Sequence, residues 1–363
     1  MNNITIPDKH GDKKMNTTHV AFFDAKPFDR EFFNAANKHF DFAIKYYNNH
    51  LTSDTVVLTE GFDAVCVFVN DDVNEEVITG LVKNNIKLVA LRCAGYNNVD
   101  FKAAYRKVHV VRVPEYSPYA VAEHAVALML SLNRKIHRAY YRTRDSNFNI
   151  VGLLGFDMYG KTVGIIGTGK IGKILIKILK GFNMNVLAYD IYPDRTFEKE
   201  IGFNYVDIKR LYNDSDIISL NCPLTQDTYH IINRASIQEM KDGVMIVNTG
   251  RGRLIDTKAL VKGLKSGKIG AAGLDVYEEE STYFFEDFST MIINDDVLAR
   301  LLTFPNVLIT SHQGFFTREA LTNIAEITLH NIADFFSGKE LVNEICYQCS
   351  EEPCRKKETG RCF

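Results

Sequence analysis

The sequence predicts an α/β protein with parallel sheets, organised as two domains with one inserted into the other. Three observations predict it. Short apolar runs alternate with amphipathic helical patterns along nearly the whole chain. A glycine-rich turn joins one such run to one such helix between Val163 and Gly172. The 363 residues, 46% hydrophobic and 24% charged, are enough for two substantial cores.

The elements are read in chain order. Ahead of the glycine-rich turn, strands are expected at His19–Phe23, Asp41–Ile44, Ala64–Val69, Lys87–Leu91 and Val108–Arg112, with helical segments between several of them. A long helix is expected from Ala120 to about Arg144, with Val121, Ala125, Leu128 and Leu132 on one stripe, entered through Ser117-Pro118 as cap and first-turn proline. Beyond the turn, strands are expected at Val186–Tyr189, Asp216–Leu220, Val244–Asn248, Ile269–Leu274 and Val307–Ile309. A final helix, about Arg318 to Phe336, carries Leu321, Ala325, Leu329, Ile332 and Phe336 on one face, and it returns to the N-terminal part.

The segment KTVGIIGTGKIGKILIKILKGFNMNVLAYD, Lys161 to Asp190, is a dinucleotide-binding βαβ unit. Gly167 turns the chain sharply off its strand. Gly169 removes a Cβ from the path of a pyrophosphate, and Gly172 lets the helix approach the sheet. The N–H groups at the helix start then hold phosphate, with Lys170 and Ile171 facing it. Asp190, 18 residues beyond Gly172, accepts from ribose hydroxyls and repels a 2′-phosphate, so NAD is favoured over NADP. Nearby Arg195 is read as a solvated surface residue. These signs make the fold two Rossmann-like domains.

Composition excludes other classes. A net charge of −2 without a basic stripe argues against a nucleic-acid partner. The first sixteen residues are polar and unlike a signal peptide, and Met15 offers an alternative start. No apolar stretch is long enough for a bilayer, so no membrane partner is expected. Seven cysteines, with Cys66, Cys93 and Cys222 inside ordinary α/β segments, suit a reducing cytoplasm better than a disulfide framework.

Three further segments carry chemistry: IVNTGRGRLID (Ile246–Asp256), GLDVYEEE (Gly273–Glu280) and TSHQGFF (Thr310–Phe316). They resemble the signature segments of the D-isomer-specific 2-hydroxyacid dehydrogenases, over roughly residues 18 to 345. Within that family the resemblance is closest to the fermentative D-lactate dehydrogenases, through LRCAGYNNVD (Leu91–Asp100), VRVPEYSPYAVAEHA (Val111–Ala125), NRKIHRAYYRTRDSNF (Asn133–Phe148) and YFFEDFS (Tyr283–Ser289). The resemblance implies a flavodoxin-like substrate domain made of residues 1–117 and 312–345. An NAD-binding Rossmann domain, 118–311, is inserted into it.

Reduction of a 2-keto acid needs a hydride donor, a proton donor for the carbonyl oxygen and a cation for the carboxylate. His312 is the candidate general acid, because imidazole changes protonation near neutral pH. Glu280 is its expected anionic partner. Arg251 supplies the planar fork that suits a carboxylate. The resemblance assigns the same roles to these three residues. It also implies that backbone N–H groups of Cys93-Ala94-Gly95 cradle the substrate carboxylate, and that Tyr116 and Phe315 wall a methyl-sized pocket. Cys222-Pro223 and Thr249-Gly250 then pass along ribose and nicotinamide, and Asp275 bonds the carboxamide. The expected reaction is reduction of pyruvate to D-lactate with NADH, in a homodimer or homotetramer paired through the segment after Tyr119. Competing readings are a dehydrogenase for a bulkier 2-hydroxy acid, an NAD-sensing corepressor-like scaffold without turnover, and thiol catalysis by Cys93.

Beyond the resemblance the chain continues as CYQCSEEPCRKKETGRCF, spaced Cys346-x2-Cys349-x4-Cys354-x7-Cys362. The segment 346–363 is short, charged and terminal. It is read as a mobile tail with reactive thiols and no metal, with a zinc or iron–sulfur site as the alternative.

Overall fold

Tetrads such as Ala64–Val67 (AVCV), Leu88–Leu91 (LVAL) and Ile217–Leu220 (IISL) are buried at every position, which is the mark of parallel strands covered on both faces. The structure, a computed structural model, describes residues 17–279, 283–350 and 356–363. The chain divides into two units, one of residues up to Tyr116 together with Leu321–Phe363, the other Ser117–Ala320.

In the first unit, β1 (His19–Phe22), β2 (Ala43–Tyr46), β3 (Ala64–Val67), β4 (Leu88–Leu91) and β5 (His109–Val111) form a parallel sheet in the order β2-β1-β3-β4-β5. That is the flavodoxin-like order. One face packs Ala21, Val65, Val67, Val89 and Leu91 against Val77, Ile78 and Leu81 of the helix Glu75–Lys83. The terminal helix Arg318–Phe336 bonds to this unit through Asn331 Nδ2, which donates to Arg112 O at 2.9 Å. β2 starts later than the apolar pattern indicated. Asp41 takes φ +57°, and the Asn37 side chain bonds both N–H and C=O of Phe42, so this stretch is a turn. Phe336 is also not on the buried stripe: it is exposed, and Phe335 packs against His109 instead.

The outer strand β5 meets the chain that follows the terminal helix. Val111 bridges Glu344, Ile345 N donates to Val110 O at 2.9 Å, and Arg112 N to Asn343 O at 3.1 Å.

In the second unit, seven strands follow: β6 (Thr162–Ile166), β7 (Asn185–Tyr189), β8 (Asn204–Tyr205), β9 (Ile217–Leu220), β10 (Val244–Asn248), β11 (Ile269–Leu274) and β12 (Val307–Ile309). They pair in parallel, in the order β12-β11-β10-β9-β6-β7-β8. Strand order reverses between β6 and β9, the switch point where a Rossmann sheet receives its ligand. Alternate residues feed two cores. Val163, Ile165, Met245 and Val247 join Leu128, Met129 and Leu175 on one side; Ile166, Ile218 and Ile246 join Leu211, Leu260 and Leu301 on the other. β8, two residues of mixed polarity, was not foreseen; its pairing with Leu187 and Ala188 of β7 defines it.

The helix expected from Ala120 to Arg144 is two helices, Pro118–Arg134 and Ile136–Arg144. Ser117 caps the first as expected, its Oγ accepting from Ala120 N. Lys135 breaks the run in the left-handed region at φ +52°, while Asn133 bonds both N and O of Phe156. The second helix has no buried residue, so no core forces it to continue the first. Among the described residues no helix is long and apolar enough to cross a membrane.

The described part of the C-terminal extension is docked rather than loose. Phe363 stacks on His109 at 4.1 Å, and Tyr105 meets both Tyr347 and Phe363 edge-on. Leu341 N donates to Gly360 O, Arg361 donates to Phe335 O and Lys339 O, and Cys362 is 1% exposed. Aromatic burial and backbone pairing override the charged composition that suggested mobility. Cys354 lies outside the described residues.

Candidate active site

All seven strands of the second sheet point the same way, so the loops that leave their carboxyl ends share one edge. Across it stand the residues singled out in the sequence. His312 lies three residues beyond β12, Asp275 directly follows β11, and Thr249, Gly250 and Arg251 follow β10. Cys222 and Pro223 follow β9, the glycine-rich turn follows β6, and Asp190 follows β7. Adjacent strands lie about 4.8 Å apart.

Two segments of that edge are tied together and to the helix Pro118–Arg134. Asp275, 1% exposed, accepts from Thr310 Oγ1 at 2.6 Å, Gln313 N at 2.8 Å and Gly314 N at 2.8 Å, with His124 Nε2 at 3.2 Å. Its carbonyl accepts from His312 N at 2.7 Å. One residue therefore fixes the whole loop that presents the imidazole, and His312 itself is bent to φ +52°. Burial alone would push the Asp275 carboxyl up, but the bonds from His124, Thr310 and Gly314 outweigh it and hold it below the usual carboxylate range.

The Arg251 loop is held from two sides. Asn248 Nδ2 donates to Arg251 O, and the Arg251 guanidinium donates to Gly250 O at 2.8 Å. Gly252 abuts the strand-exit segment so closely that an added Cβ would lie 1.9 Å from Tyr277 O. That segment is fixed in turn by Glu278, which bonds His230 Nε2 at 2.8 Å and Thr257 Oγ1 at 2.8 Å. It leads to Glu280, which lies outside the described residues. Gly252→Ala should therefore displace Arg251 relative to Tyr277, with about 1–3 kcal/mol lost in thermal unfolding and a larger proportional fall in kcat/KM. Unchanged melting and kinetics would show that the approach is not required.

The turn after β6 has the geometry its glycines imply. Gly167 takes φ +93° with its open side against Cys222 N, and a Cβ on Gly172 would lie 2.1 Å from Gly167 O. A Cβ on Gly169 would meet nothing within 4 Å, and Lys170 opens the helix Lys170–Gly181 beside it. Ile171 is half-buried on that helix. Asp190 accepts from Thr168 N, Thr168 Oγ1 and Tyr192 N. Partial burial pushes its carboxyl up, and those bonds more than reverse the effect. Arg195 pairs with Glu198 at the surface, as expected.

Whether this edge suits a dinucleotide is tested by its unsatisfied groups. The Thr249 hydroxyl and the Asn221 side-chain carbonyl are buried without a hydrogen-bond partner among the described residues, at the ends of adjacent strands β10 and β9. Buried polar atoms of this kind ordinarily find partners, so the pair suits a polar ligand crossing the switch point. The Cys222 thiol beside them is pushed up to about 11 by burial and stays protonated.

In the first unit, Cys93, Ala94 and Gly95 follow β4. The Cys93 thiol donates to Gly95 O at 3.2 Å, and Arg112 donates to Ala94 O at 2.9 Å. A donating thiol is not a thiolate, so this geometry opposes the Cys93 nucleophile reading. Tyr116 O accepts from Asn323 Nδ2. Phe315, in the second unit, is buried and meets Phe285 edge-on at 6.5 Å.

Sequence reasoning missed the residues that hold these loops. His124, Thr310, His230 and Glu278 act through side-chain bonds that no local pattern announces. Arg92, 2% exposed, is the exception with a readable signal, since it is a charge set directly after an apolar strand. Its guanidinium lies 3.3 Å from Asp29, donates to Asp24 O and covers the faces of Phe22 and Phe68, which anchors the start of the Cys93 loop.

The family described as "D-isomer specific 2-hydroxyacid dehydrogenase, NAD binding domain" matches residues 126–314. The chain belongs to the D-isomer-specific 2-hydroxyacid dehydrogenases. Its cofactor is NAD, and its substrate is a small molecule. D-lactate dehydrogenase of Escherichia coli strain K12 is 50% identical over 327 residues, 90% of this chain and 99% of that relative. The apo-structure of D-lactate dehydrogenase from Escherichia coli superposes with a TM-score of 0.84 at 48% identity, covering 90% of this chain and all of that one. D-lactate dehydrogenase from Salmonella gives 0.82 at 50% identity, with the same coverage. The seven-stranded sheet lies within the residues that this NAD-binding-domain model matches. For a dehydrogenase of this family, the corepressor-like scaffold without turnover falls away.

Proposed function

We propose that this dehydrogenase interconverts pyruvate and D-lactate with NADH and NAD, in the cytoplasm. The observation that carries the reading is the Asp275 tether, which holds the His312 loop on the edge that also bears Arg251 and the glycine turn. The relatives named D-lactate dehydrogenase support it at about half identity.

The bound cofactor supplies a hydride to the keto carbon during reduction. His312 gives a proton to the carbonyl oxygen and takes it back in the reverse direction. Glu280 is the anionic partner of the imidazole, and Arg251 clamps the carboxylate and polarises the carbonyl. The Cys93-Ala94-Gly95 N–H groups bind the carboxylate, and Tyr116 and Phe315 restrict the side-chain pocket to a methyl group. The Lys170-Ile171 N–H groups meet the pyrophosphate, and Asp190 accepts from the ribose. Cys222, Pro223, Thr249 and Gly250 pass along the ribose and nicotinamide. Asp275 Oδ2 takes one described donor, from Gly314, which leaves it room for a carboxamide N–H.

The chain also acts as a homo-oligomer, dimer or tetramer. Tyr141, Phe148, Ile150, Val151 and Leu154 are all more than two-thirds exposed in one stretch after the first long helix, an apolar surface of the kind that self-association covers. One assay tests the substrate: NADH oxidation across straight and branched 2-keto acids, with chiral analysis of the product. The expected result is the highest kcat/KM with pyruvate and D-lactate as product. A clear preference for 2-ketoisocaproate would replace the methyl-sized pocket with the bulkier-acid reading.

A further inference from the structure

The C-terminal extension lies beyond the stretch that carries the family resemblance, yet it is where three cysteines converge. Cys346 Sγ lies 3.8 Å from Cys349 Sγ, and Cys349 Sγ lies 3.8 Å from Cys362 Sγ. All three sulfurs fall within 4.8 Å of one another. These separations are far beyond the about 2.05 Å of a disulfide. They match another geometry: with Zn–S at about 2.3 Å, the edge of a tetrahedron is about 3.8 Å.

The backbone around the sulfurs fits the same chemistry. Cys349 N donates to Cys346 O, which closes a Cys-x2-Cys turn, and Cys346 N donates to Cys349 Sγ at 3.2 Å. An N–H aimed at the sulfur holds it in place, as outer-shell hydrogen bonds hold metal ligands. Cys362 arrives from the far end of the extension. Its own N–H is fixed on Glu344, whose other carboxylate oxygen meets His109 of β5. The sulfurs are therefore placed by a folded frame, with one side open because Cys349 is exposed.

We propose that Cys346, Cys349 and Cys362 bind a zinc ion that joins the two ends of the extension to each other. Sulfur donors and a tetrahedral edge length select a borderline-soft ion such as zinc over magnesium or calcium, which take oxygen. Each thiol that binds releases its proton to solvent, and a fourth position remains for water or a further ligand. The site joins the Cys-x2-Cys turn to Cys362, so it closes the extension on itself beside β5.

The test uses full-length, tag-free protein purified without chelator, with metal measured by plasma mass spectrometry. About one zinc per chain is expected, falling at least tenfold in Cys349→Ser and in Cys346→Ser while Cys66→Ala keeps it. Cobalt in place of zinc should give the visible bands of tetrahedral thiolate coordination, absent in Cys349→Ser. Chelation should accelerate amide exchange within Leu341–Phe363 and leave β6 and β10 unchanged. Metal below a tenth of an equivalent, zinc retained in both serine variants, iron with sulfide in place of zinc, or a disulfide among these thiols in the purified protein would each overturn the assignment.

Discussion

His312→Ala should lower kcat for pyruvate reduction by about two to four orders of magnitude, the usual weight of a positioned proton donor. NADH affinity should stay within a few-fold, because the groups expected to hold the cofactor lie on the loops after β6, β7, β9, β10 and β11 rather than on the β12 loop. The fold should also survive. The loop is anchored by backbone bonds to Asp275, from Gln313 N, Gly314 N and the N–H of residue 312 itself, and the substitution keeps all three. One strain remains, since an alanine at φ +52° is no better placed than histidine. Stopped-flow fluorescence for NADH binding and steady-state turnover read the two effects separately. Turnover near the parent's would remove His312 from the proton-transfer role and return the question to other acids on this edge.

Arg251→Gln should reduce kcat/KM by roughly a hundred- to a thousand-fold. Two charge-assisted hydrogen bonds at about 1.5–2 kcal/mol each give about 3–4 kcal/mol, and each 1.36 kcal/mol is a factor of ten. The loss should appear in both KM and kcat, since the guanidinium is proposed to hold the carboxylate in the ground state and the polarised oxygen in the transition state. Arg251→Lys should recover little of it, because a point charge cannot replace the planar fork. The Arg251 loop is secured by Asn248 Nδ2 on a backbone carbonyl, so the substitution should leave melting nearly unchanged. If the lysine variant matched the parent, bidentate binding would be refuted.

Much of this was legible in the chain itself. The apolar tetrads and the glycine-rich turn located most of both sheets, because a parallel strand buried on two faces leaves a local signature. The helix Arg318–Phe336 was located from its stripe, although Phe336, counted on that stripe, is exposed. What failed was set by long-range contacts. The turn at Asp41, the break at Lys135 and the short β8 depend on side chains or strands distant in sequence, such as Asn37 gripping Phe42 and β7 pairing with Asn204 and Tyr205. The chemistry-bearing segments were legible as types, an imidazole, a guanidinium and their acids. The groups that aim them were not: Asp275 receiving Thr310 and Gln313, and Glu278 bridging His230 and Thr257, are made by folding rather than by spacing. The extension misled for a similar reason. Its charged composition describes the residues that face solvent and says nothing of Phe363 and Cys362, which do not.

The crossing of Glu344 over Val111 has a bearing on how concentrated this protein can become. A terminal strand of a parallel sheet displays a row of unclaimed amides and carbonyls, ready to recruit a strand from another molecule and so to seed fibrils. Here that row is met by the molecule's own chain, at Val110, Val111 and Arg112 in succession. The β5 rim of the five-stranded sheet is thereby denied to strangers along these three residues.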